Sequence, residues 1–183
     1  MWLLYLYDIF CFFYTIIHIN IVFSIIKKKE RKKMLTKIRG FEIVKDACRK
    51  TEGAVTLPTR GTKRAMAYDF YANKDYAVEP GKIVKVWTDV KAYMRDDEGL
   101  ILNVRSSMGG KFMLANTSGW IDSDYYSNES NDGNIGIFLM NISDETQVIK
   151  KDDRIAQGMF IQYLVADTGN TDAARTGGFG STN

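Results

Sequence analysis

Residues 79–87 read EPGKIVKVW, a Glu-Pro-Gly turn followed by a segment in which charged and apolar residues alternate. This alternation is typical of a strand with one buried face. Short segments rich in β-branched and aromatic residues recur along the chain, separated by Gly, Asn and Asp, and the sequence contains no amphipathic helical pattern of ten residues or more. It therefore predicts an all-β sandwich or barrel. The other predicted strands include Ile38–Val44, Gly99–Val104, Phe112–Ala115, Ile135–Met140, Thr146–Ile149 and Met159–Val165.

The composition excludes several classes of protein. A chain of 183 residues has room for one ordinary domain, and 45% hydrophobic with 26% charged residues is not the composition of a disordered chain. Two cysteines are too few for a disulfide framework, and with a single histidine they cannot form a Cys/His zinc cluster. Any chemistry therefore falls to carboxylates, hydroxyls and arginines, together with a cation held by oxygen atoms.

The first 33 residues differ from the rest of the chain. Residues 1–26 contain 21 apolar residues, and residues 27–33 are all basic apart from Glu30. At face value residues 1–33 are a membrane anchor that leaves the remaining chain in the cytoplasm. The abundance of Phe, Ile, Tyr, Asn and Lys favours a second account, in which AT-rich upstream DNA has been translated and the protein starts at Met34.

We therefore expect a cytoplasmic protein that contacts a membrane only if residues 1–26 are made. Detection of a peptide that spans Lys33 and Met34 in the native protein would refute the start at Met34 and favour the membrane anchor. The net charge of +3 belongs to this leading segment, because the other residues are close to neutral. The charge thus gives no support to nucleic-acid binding, and none is expected.

The C-terminal residues form a segment of their own. We predict a β domain over residues 34–172 and a flexible tail over residues 173–183, because the tail has too few apolar residues to pack alone. The tail nevertheless contains an arginine, a phenylalanine, glycines and hydroxyls. Such residues can close over a phosphorylated ligand.

Four further segments combine acids, arginine or hydroxyls with strand ends. In the segment NTSGWIDSDY (116–125), Asp122 and Asp124 alternate along a predicted strand, and we expect them to face opposite sides of it. In order, with the tail as the fifth, the segments are AYDFYA (67–72), RSS (105–107), NTSGWIDSDY (116–125), DDRIAQ (152–157) and RTGGFGSTN (175–183).

Taken together and in this order, the five segments resemble the five motifs of the trimeric dUTPase family (dUTP diphosphatases), in the form found in Gram-positive bacteria and their phages. The resemblance covers residues 40–183. It implies an all-β, jelly-roll-like subunit and a homotrimer in which the tail reaches a neighbouring subunit. It also implies hydrolysis of dUTP to dUMP and pyrophosphate with Mg²⁺, which keeps uracil out of DNA and supplies dUMP for dTMP synthesis.

The resemblance assigns roles motif by motif. Asp122 orients and activates the attacking water and is the catalytic residue, and Asp69 reaches the metal through water. Tyr125 packs under the deoxyribose, and Phe179 covers the uracil. The remaining substrate contacts are Arg105, Ser106, Ser107, Gln157, Arg175, Gly180 and Ser181 on phosphates, and Asn116, Trp120, Ile121 and Gly136 at the uracil-binding hairpin.

The chain departs from the family pattern at several positions. Ala67 stands where glycine is usual, and Ser107 stands where glycine is commoner. The tail has one residue fewer than usual between Arg175 and Phe179. This last departure bears most on the reach of Arg175 to the phosphates.

Two other functions are alternatives to dUTP hydrolysis. dCTP deaminases share the fold and an RSS motif, but Gly110 and Phe138 occupy the positions of their second arginine and catalytic glutamate. The other alternative is a nucleotide-binding regulatory protein that binds a partner through the long turn 126–134. We favour the interpretation of this turn as a solvated hairpin loop.

Overall fold

The computed structural model describes residues 18–19, 37–173, 175 and 177–178. Within this part of the chain, no helix is long and apolar enough to cross a membrane. The predicted anchor over residues 1–26 lies, apart from residues 18–19, outside the described residues. A compact unit over Arg39–Asn183 contains the strands. These are β1 Gly40–Ile43, β2 Tyr68–Tyr71, β3 Tyr76–Val78, β4 Ile83–Trp87, β5 Val90–Tyr93, β6 Glu98–Val104, β7 Phe112–Leu114, β8 Gly119–Asp122, β9 Gly136–Asn141, β10 Gln147–Ile149 and β11 Arg154–Gln162.

All strand pairs are antiparallel, and they form two larger sheets and two ribbons. One sheet has the order β2-β11-β6-β8, the other has the order β4-β9-β7, and β1-β5 and β10-β3 are two-stranded. Both larger sheets contribute to a single hydrophobic core. Phe70, Leu100 and Ile155 come from the first sheet, and Val86 and Leu139 from the second. The predicted all-β fold is confirmed.

Strand β11 differs most from its prediction. It begins five residues earlier than the predicted Met159–Val165, because Ile155 and Ala156 are buried between β2 and β6. It ends at Gln162, and the side chain of Leu164 is 97% exposed. The apolar residues up to Val165 therefore predicted a strand that continues beyond its observed end at Gln162.

Two strands have no counterpart in the prediction. β5 pairs with β1 and β3 pairs with β10, each over three or four residues. Their sequences, VKAY and YAV, are too short to show a convincing alternation. Pairing with a distant segment makes them strands.

The turn 126–134 is not the solvated loop that we favoured. Its inner residues, Asn128 and Asp132–Asn134, are buried, and only Ser127, Glu129 and Ser130 are exposed. Asp132 accepts hydrogen bonds from Lys91 Nζ (2.8 Å) and from the Lys45 backbone N–H (2.8 Å). Burial raises the pKa of the Asp132 carboxyl, but these partners outweigh it and the pKa lies below its usual value. A buried polar network thus fixes the turn.

A second buried aspartate ties this turn to the N-terminal part of the domain. Asp89 accepts hydrogen bonds from the Lys50 backbone N–H (2.8 Å), the Thr51 hydroxyl (2.7 Å) and Asn134 Nδ2 (2.9 Å). Asn134 also bonds the Cys48 carbonyl at 3.0 Å. The end of the turn is therefore anchored by partners more than 40 residues away in sequence.

Candidate active site

Four of the predicted uracil contacts line one cavity of about 110 Å³. They are Asn116, Trp120, Ile121 and Gly136. The remaining lining is mostly apolar and comes from Leu102, Leu114, Gly119, Ile137 and Phe138. The volume is of the order of the roughly 150 Å³ cavity that holds benzene in another protein, so a single planar ring is the class of ligand that fits.

The cavity lies between strands of the two sheets. β7 pairs with β9, whereas β8 pairs with β6, so the segment between β7 and β8 crosses from one sheet to the other. By strand pairing it is therefore not the hairpin that the resemblance implied. The crossing is tight: Thr117 has a φ of 63°, and the Thr117 backbone N–H bonds the Leu114 carbonyl at 2.9 Å.

Gly136 has a steric reason to lack a side chain. A Cβ at this position would lie 2.7 Å from Lys85 Cε and 3.1 Å from Trp87 Cε3. Lys85 Nζ lies 3.9 Å from the centre of the Trp87 ring, so these two side chains are packed together behind the glycine. The glycine thus lets β9 lie close to β4 at the edge of the cavity.

Asp122 is the last residue of β8 and directly follows the cavity residue Ile121. Its side chain is 65% exposed. At Ser123–Tyr125 the chain enters a single turn of 3₁₀ helix, which ends the strand alternation. Asp122 and Asp124 meet the same partner. The expectation that they face opposite sides was wrong, since residues two apart lie on one face even in a regular strand.

That partner is Arg175 of the tail. Its Nε donates to Asp124 Oδ1 at 2.7 Å, and its Nη2 forms an ion pair with Asp122 Oδ2. The guanidinium also lies 5.8 Å from the centre of the Tyr125 ring, and its side chain is only 10% exposed. The described part of the tail is thus packed against its own chain, and the predicted contact of Arg175 with phosphates stays a prediction.

The Tyr125 hydroxyl is held by the C-terminal half of the turn 126–134. Its hydroxyl donates to the Asn134 carbonyl at 2.8 Å and accepts from Asn131 Nδ2 at 2.8 Å. Burial raises the pKa of the phenol, while the bond from Asn131 and the charge of Arg175 oppose the rise. The ring is therefore a neutral, buried side chain with a fixed orientation at neutral pH.

A second group of predicted residues lies on the four-stranded sheet. Asp69 Oδ1 accepts from Arg105 Nε at 2.7 Å, and Asp69 Oδ2 is 3.5 Å from Arg154 Nη1. Gln157 stands directly opposite Asp69 on the neighbouring strand. Ser106 and Ser107 begin a 3₁₀ turn at the end of β6, and both are exposed. The structure therefore brings the first, second and fourth motifs together.

This second group borders a larger, positively charged cavity of about 280 Å³. Arg105 and Ser107 line it, together with Lys111 and Arg154, which sequence reasoning did not select. Arg154 could have been selected from the sequence, because it lies three residues before Gln157 in the same predicted motif and, as the structure has it, in the same strand. Two additional cations make this cavity suited to anionic oxygens.

The two cavities have no lining residue in common. The base-sized cavity with Asp122 and Tyr125 is therefore one partial site, and the cationic cavity with Asp69 is another. Phe179, Gly180 and Ser181 lie outside the described residues.

The residues around Asp69 suit a magnesium ion only if a water molecule lies between the carboxylate and the ion. Within the described residues, no group of three or more His, Cys, Asp or Glu side chains could hold a metal ion. Each Asp69 oxygen already faces an arginine and retains one further acceptor position. That position suits a water molecule of a hydrated ion whose direct ligands are phosphate oxygens.

Comparison with known proteins bears directly on these partial sites. The family model described as dUTPase matches residues 54–183. The deoxyuridine 5'-triphosphate nucleotidohydrolase of Lactococcus lactis is 40% identical over 150 residues, which is 80% of this chain and 98% of the relative.

Solved structures agree with the observed fold. The crystal structure of dUTPase from Streptococcus mutans superposes with a TM-score of 0.64 at 37% identity, covering 70% of this chain and 99% of that one. A mutant dUTPase from phage phi11 of S. aureus, described with a structural Mg(II) ion, gives a TM-score of 0.57 at 16% identity over 74% of this chain and 97% of its own. At this low identity the second likeness concerns the fold alone.

Proposed function

The chain belongs to the dUTPase family, and from this premise we propose that it hydrolyses dUTP to dUMP and pyrophosphate through attack of a water molecule oriented by Asp122 on the α-phosphate. One observation carries the proposal. The exposed carboxylate of Asp122 ends the strand that lines a cavity of base size. A base in that cavity would hold its attached sugar and phosphates close to Asp122.

The base-sized cavity would select uracil. Asn116 offers both a donor and an acceptor, and the strand edges at Gly119 and Gly136 offer backbone groups. A site committed to one donor and acceptor pattern discriminates strongly against cytosine, because its own polar groups would otherwise be left unpaired. Tyr125, packed on the deoxyribose, would leave no room for a 2′-hydroxyl.

The cationic cavity would hold the phosphates. Arg105 and Ser107, which line it, and the nearby Ser106 and Gln157 would donate to phosphate oxygens, and the lining residues Lys111 and Arg154 would add positive charge. Mg²⁺, held by phosphate oxygens and by water next to Asp69, would supply charge neutralisation of the triphosphate. Arg175, Phe179, Gly180 and Ser181 of the tail would then close over the nucleotide and exclude water.

We further propose that the enzyme is a homotrimer. The separation of the two cavities in one chain supports this assembly, because a neighbouring subunit can bring its cationic cavity to the base-sized cavity of the first. The site would then be complete only between subunits. In the cell the reaction would keep dUTP low, limit uracil incorporation into DNA and supply dUMP.

The test is release of pyrophosphate by the purified full chain from dUTP, dCTP, dTTP and UTP with Mg²⁺. We expect rapid release from dUTP, a preference of ~10⁴ or more over dCTP, and slower release from dTTP and UTP than from dUTP. Ammonia release from dCTP without pyrophosphate would instead support the deaminase alternative. Sedimentation of the same sample tests the trimer.

A further inference from the structure

The loop 59–65, which reads TRGTKRA and precedes β2, contains three cations next to the cationic cavity. We propose that Lys63 and Arg64 of this basic loop attract the triphosphate of the substrate and guide it to the cationic cavity. The inference rests on the proposed function, because it takes that cavity to be the phosphate site.

The first step is the position of the basic loop beside Asp69. The Asp69 backbone N–H donates to the Thr59 carbonyl at 2.8 Å, and the Thr59 hydroxyl lies 2.9 Å from the Tyr71 hydroxyl. A Cβ placed on Gly61 would lie 3.9 Å from Asp69 Oδ2. The loop backbone therefore passes next to the carboxylate that Arg105 and Arg154 of the cationic cavity face.

The second step is the fixed shape of the basic loop. The guanidinium carbon of Arg60 lies 5.8 Å from the centre of the Tyr68 ring, and Arg60 Nη1 donates to the Ala65 carbonyl at 3.4 Å. The side chain of Arg60 therefore joins the beginning of the loop to its end and to β2. Its charge is used within the loop, in contrast to the other two.

The third step is the exposure of those two cations. The Ala65 backbone N–H bonds the Thr62 carbonyl at 3.2 Å, so Lys63 and Arg64 are the central residues of a tight turn, and both are exposed. Within the described part of the chain, neither forms an ion pair or a side-chain hydrogen bond. No Asp or Glu occurs between Glu52 and Asp69 in the sequence. Both charges therefore act undiminished on an approaching anion.

The fourth step is the sum of the charges in this region. The lining of the cationic cavity contains three cations and one carboxylate, and the basic loop adds three more cations. Because two residues span at most about 7 Å, Lys63 lies close to Gly61 and hence to the cavity region. A surface of one sign raises the rate at which an opposite charge associates, and salt weakens the effect.

The test is the salt dependence of kcat/KM for dUTP in the full chain that contains Lys63→Gln and Arg64→Gln together. At ~0.02 M salt we expect kcat/KM to fall about fivefold while kcat stays unchanged. At ~0.5 M salt screening should reduce the difference to less than about 1.5-fold. The melting temperature should stay the same, because both side chains are exposed and unpaired.

Two controls separate local charge from other effects. Lys63→Arg with Arg64→Lys keeps both charges and exchanges the side chains, so it should retain the full kcat/KM. Arg95→Gln removes an exposed cation before β6, whereas Arg105 follows that strand. The seven residues of β6 separate the two by roughly 23 Å, so this change should alter kcat/KM by less than about 1.5-fold.

Binding of inorganic tripolyphosphate provides a readout that needs neither a base nor turnover. Its affinity, measured by calorimetry at ~0.02 M salt, should fall about fivefold in the Gln double variant and stay unchanged in the charge-preserving variant.

The outcomes separate this inference from the proposed function. If the unmodified chain releases no pyrophosphate from dUTP, the proposed function is wrong, and the tripolyphosphate affinities still test the basic loop. If the unmodified chain hydrolyses dUTP but the Gln double variant keeps its kcat/KM at low salt, the role of Lys63 and Arg64 is wrong. A loss that persists at high salt, or an equal loss in Arg95→Gln, would also overturn it.

Discussion

Asp69 and Asp122 both pair with arginine, but they do so in different surroundings. The side chain of Asp69 is 10% exposed and faces two arginines that belong to the same sheet region, whereas that of Asp122 is 65% exposed and faces an arginine from the tail. A mostly buried acid between two cations stabilises the sheet, in addition to facing the proposed metal-bound water, so its loss should destabilise the fold. An exposed acid at a strand end is available to water and substrate, so the two aspartates should fail in different ways when they are changed.

The largest effect should come from Asp122→Asn. The amide cannot accept a proton from the attacking water, so we expect kcat for dUTP to fall by ~10³ or more while nucleotide affinity and melting temperature are retained. Steady-state kinetics and thermal unfolding of the full chain measure both. Asp124→Asn is the matched control, since it shares Arg175 but does not follow a cavity residue, and it should lose less than tenfold. Near-normal turnover in Asp122→Asn would contradict its catalytic role.

Removal of residues 173–183 should have the next largest effect. The tail sequence contains few apolar residues, so we expect the melting temperature to change by no more than about 2 °C and the kcat/KM for dUTP to fall by ~10² or more. Phe179→Ala should reproduce part of this loss, because it removes only the stacking ring. A shortened chain that no longer assembles would show that the tail is a structural strap.

Asp69→Asn tests the other side of the comparison. The change leaves Arg105 and Arg154 without their carboxylate, and we expect the free energy of unfolding to fall by about 2 kcal/mol. Urea titration at pH 7 measures this loss. Asp75→Asn is the control, because its pair with Lys150 is exposed on both sides and should contribute little to stability. Equal losses in the two variants would remove the distinction between buried and exposed pairs.

Much of this arrangement could be predicted from the sequence. Alternation predicted the strand at Ile83–Trp87, and the apolar segment predicted over Gly99–Val104 lies within the strand Glu98–Val104. Of the residues named from the order of the motifs, Asn116, Trp120, Ile121 and Gly136 line one cavity, and Arg105 and Ser107 line the other. Lys111 and Arg154 were missed because their side chains become relevant only once β2, β11 and β6 are neighbours.

Other features depended on local geometry that a periodic pattern does not contain. The expectation that Asp122 and Asp124 face opposite sides was wrong for a strand as well, because residues two apart in a strand lie on one face. In the structure a 3₁₀ turn begins between them, which strand periodicity does not predict. The turn 126–134 looked solvated because its residues are polar. Their partners, among them Lys91 and Lys45, come from distant parts of the chain.

The ion pair of Glu98 lies between the buried pair of Asp69 and the exposed pair of Asp122. Its substitution should have the smallest effect on stability. Glu98 is buried, and its partner Arg39 is partly exposed. The hydrogen bond from Arg39, opposed by burial, holds the pKa of Glu98 below its usual value of 4.5. The carboxylate therefore stabilises the fold above pH 4.5, and this contribution disappears as the pH falls through the lower pKa of the folded protein.

We expect Glu98→Gln to cost about 1 kcal/mol or less at pH 7, and the difference from the unmodified chain to vanish in acid. Urea titrations of both proteins at a series of pH values measure it. A difference that grows as the pH falls below 4.5 would reverse the sign of the argument.

The position of β11 has a consequence for how the protein is made. This strand lies between β2 and β6 in the larger sheet, yet it is the last strand of the chain to leave the ribosome. Until it emerges, β2 and β6 have no shared neighbour, and their unpaired edges and apolar faces are exposed in the nascent chain. Synthesis that stops before residue 154 would therefore yield a fragment without its central strand, prone to aggregate and dependent on chaperones, whereas a chain that stops after residue 162 already contains the whole sheet.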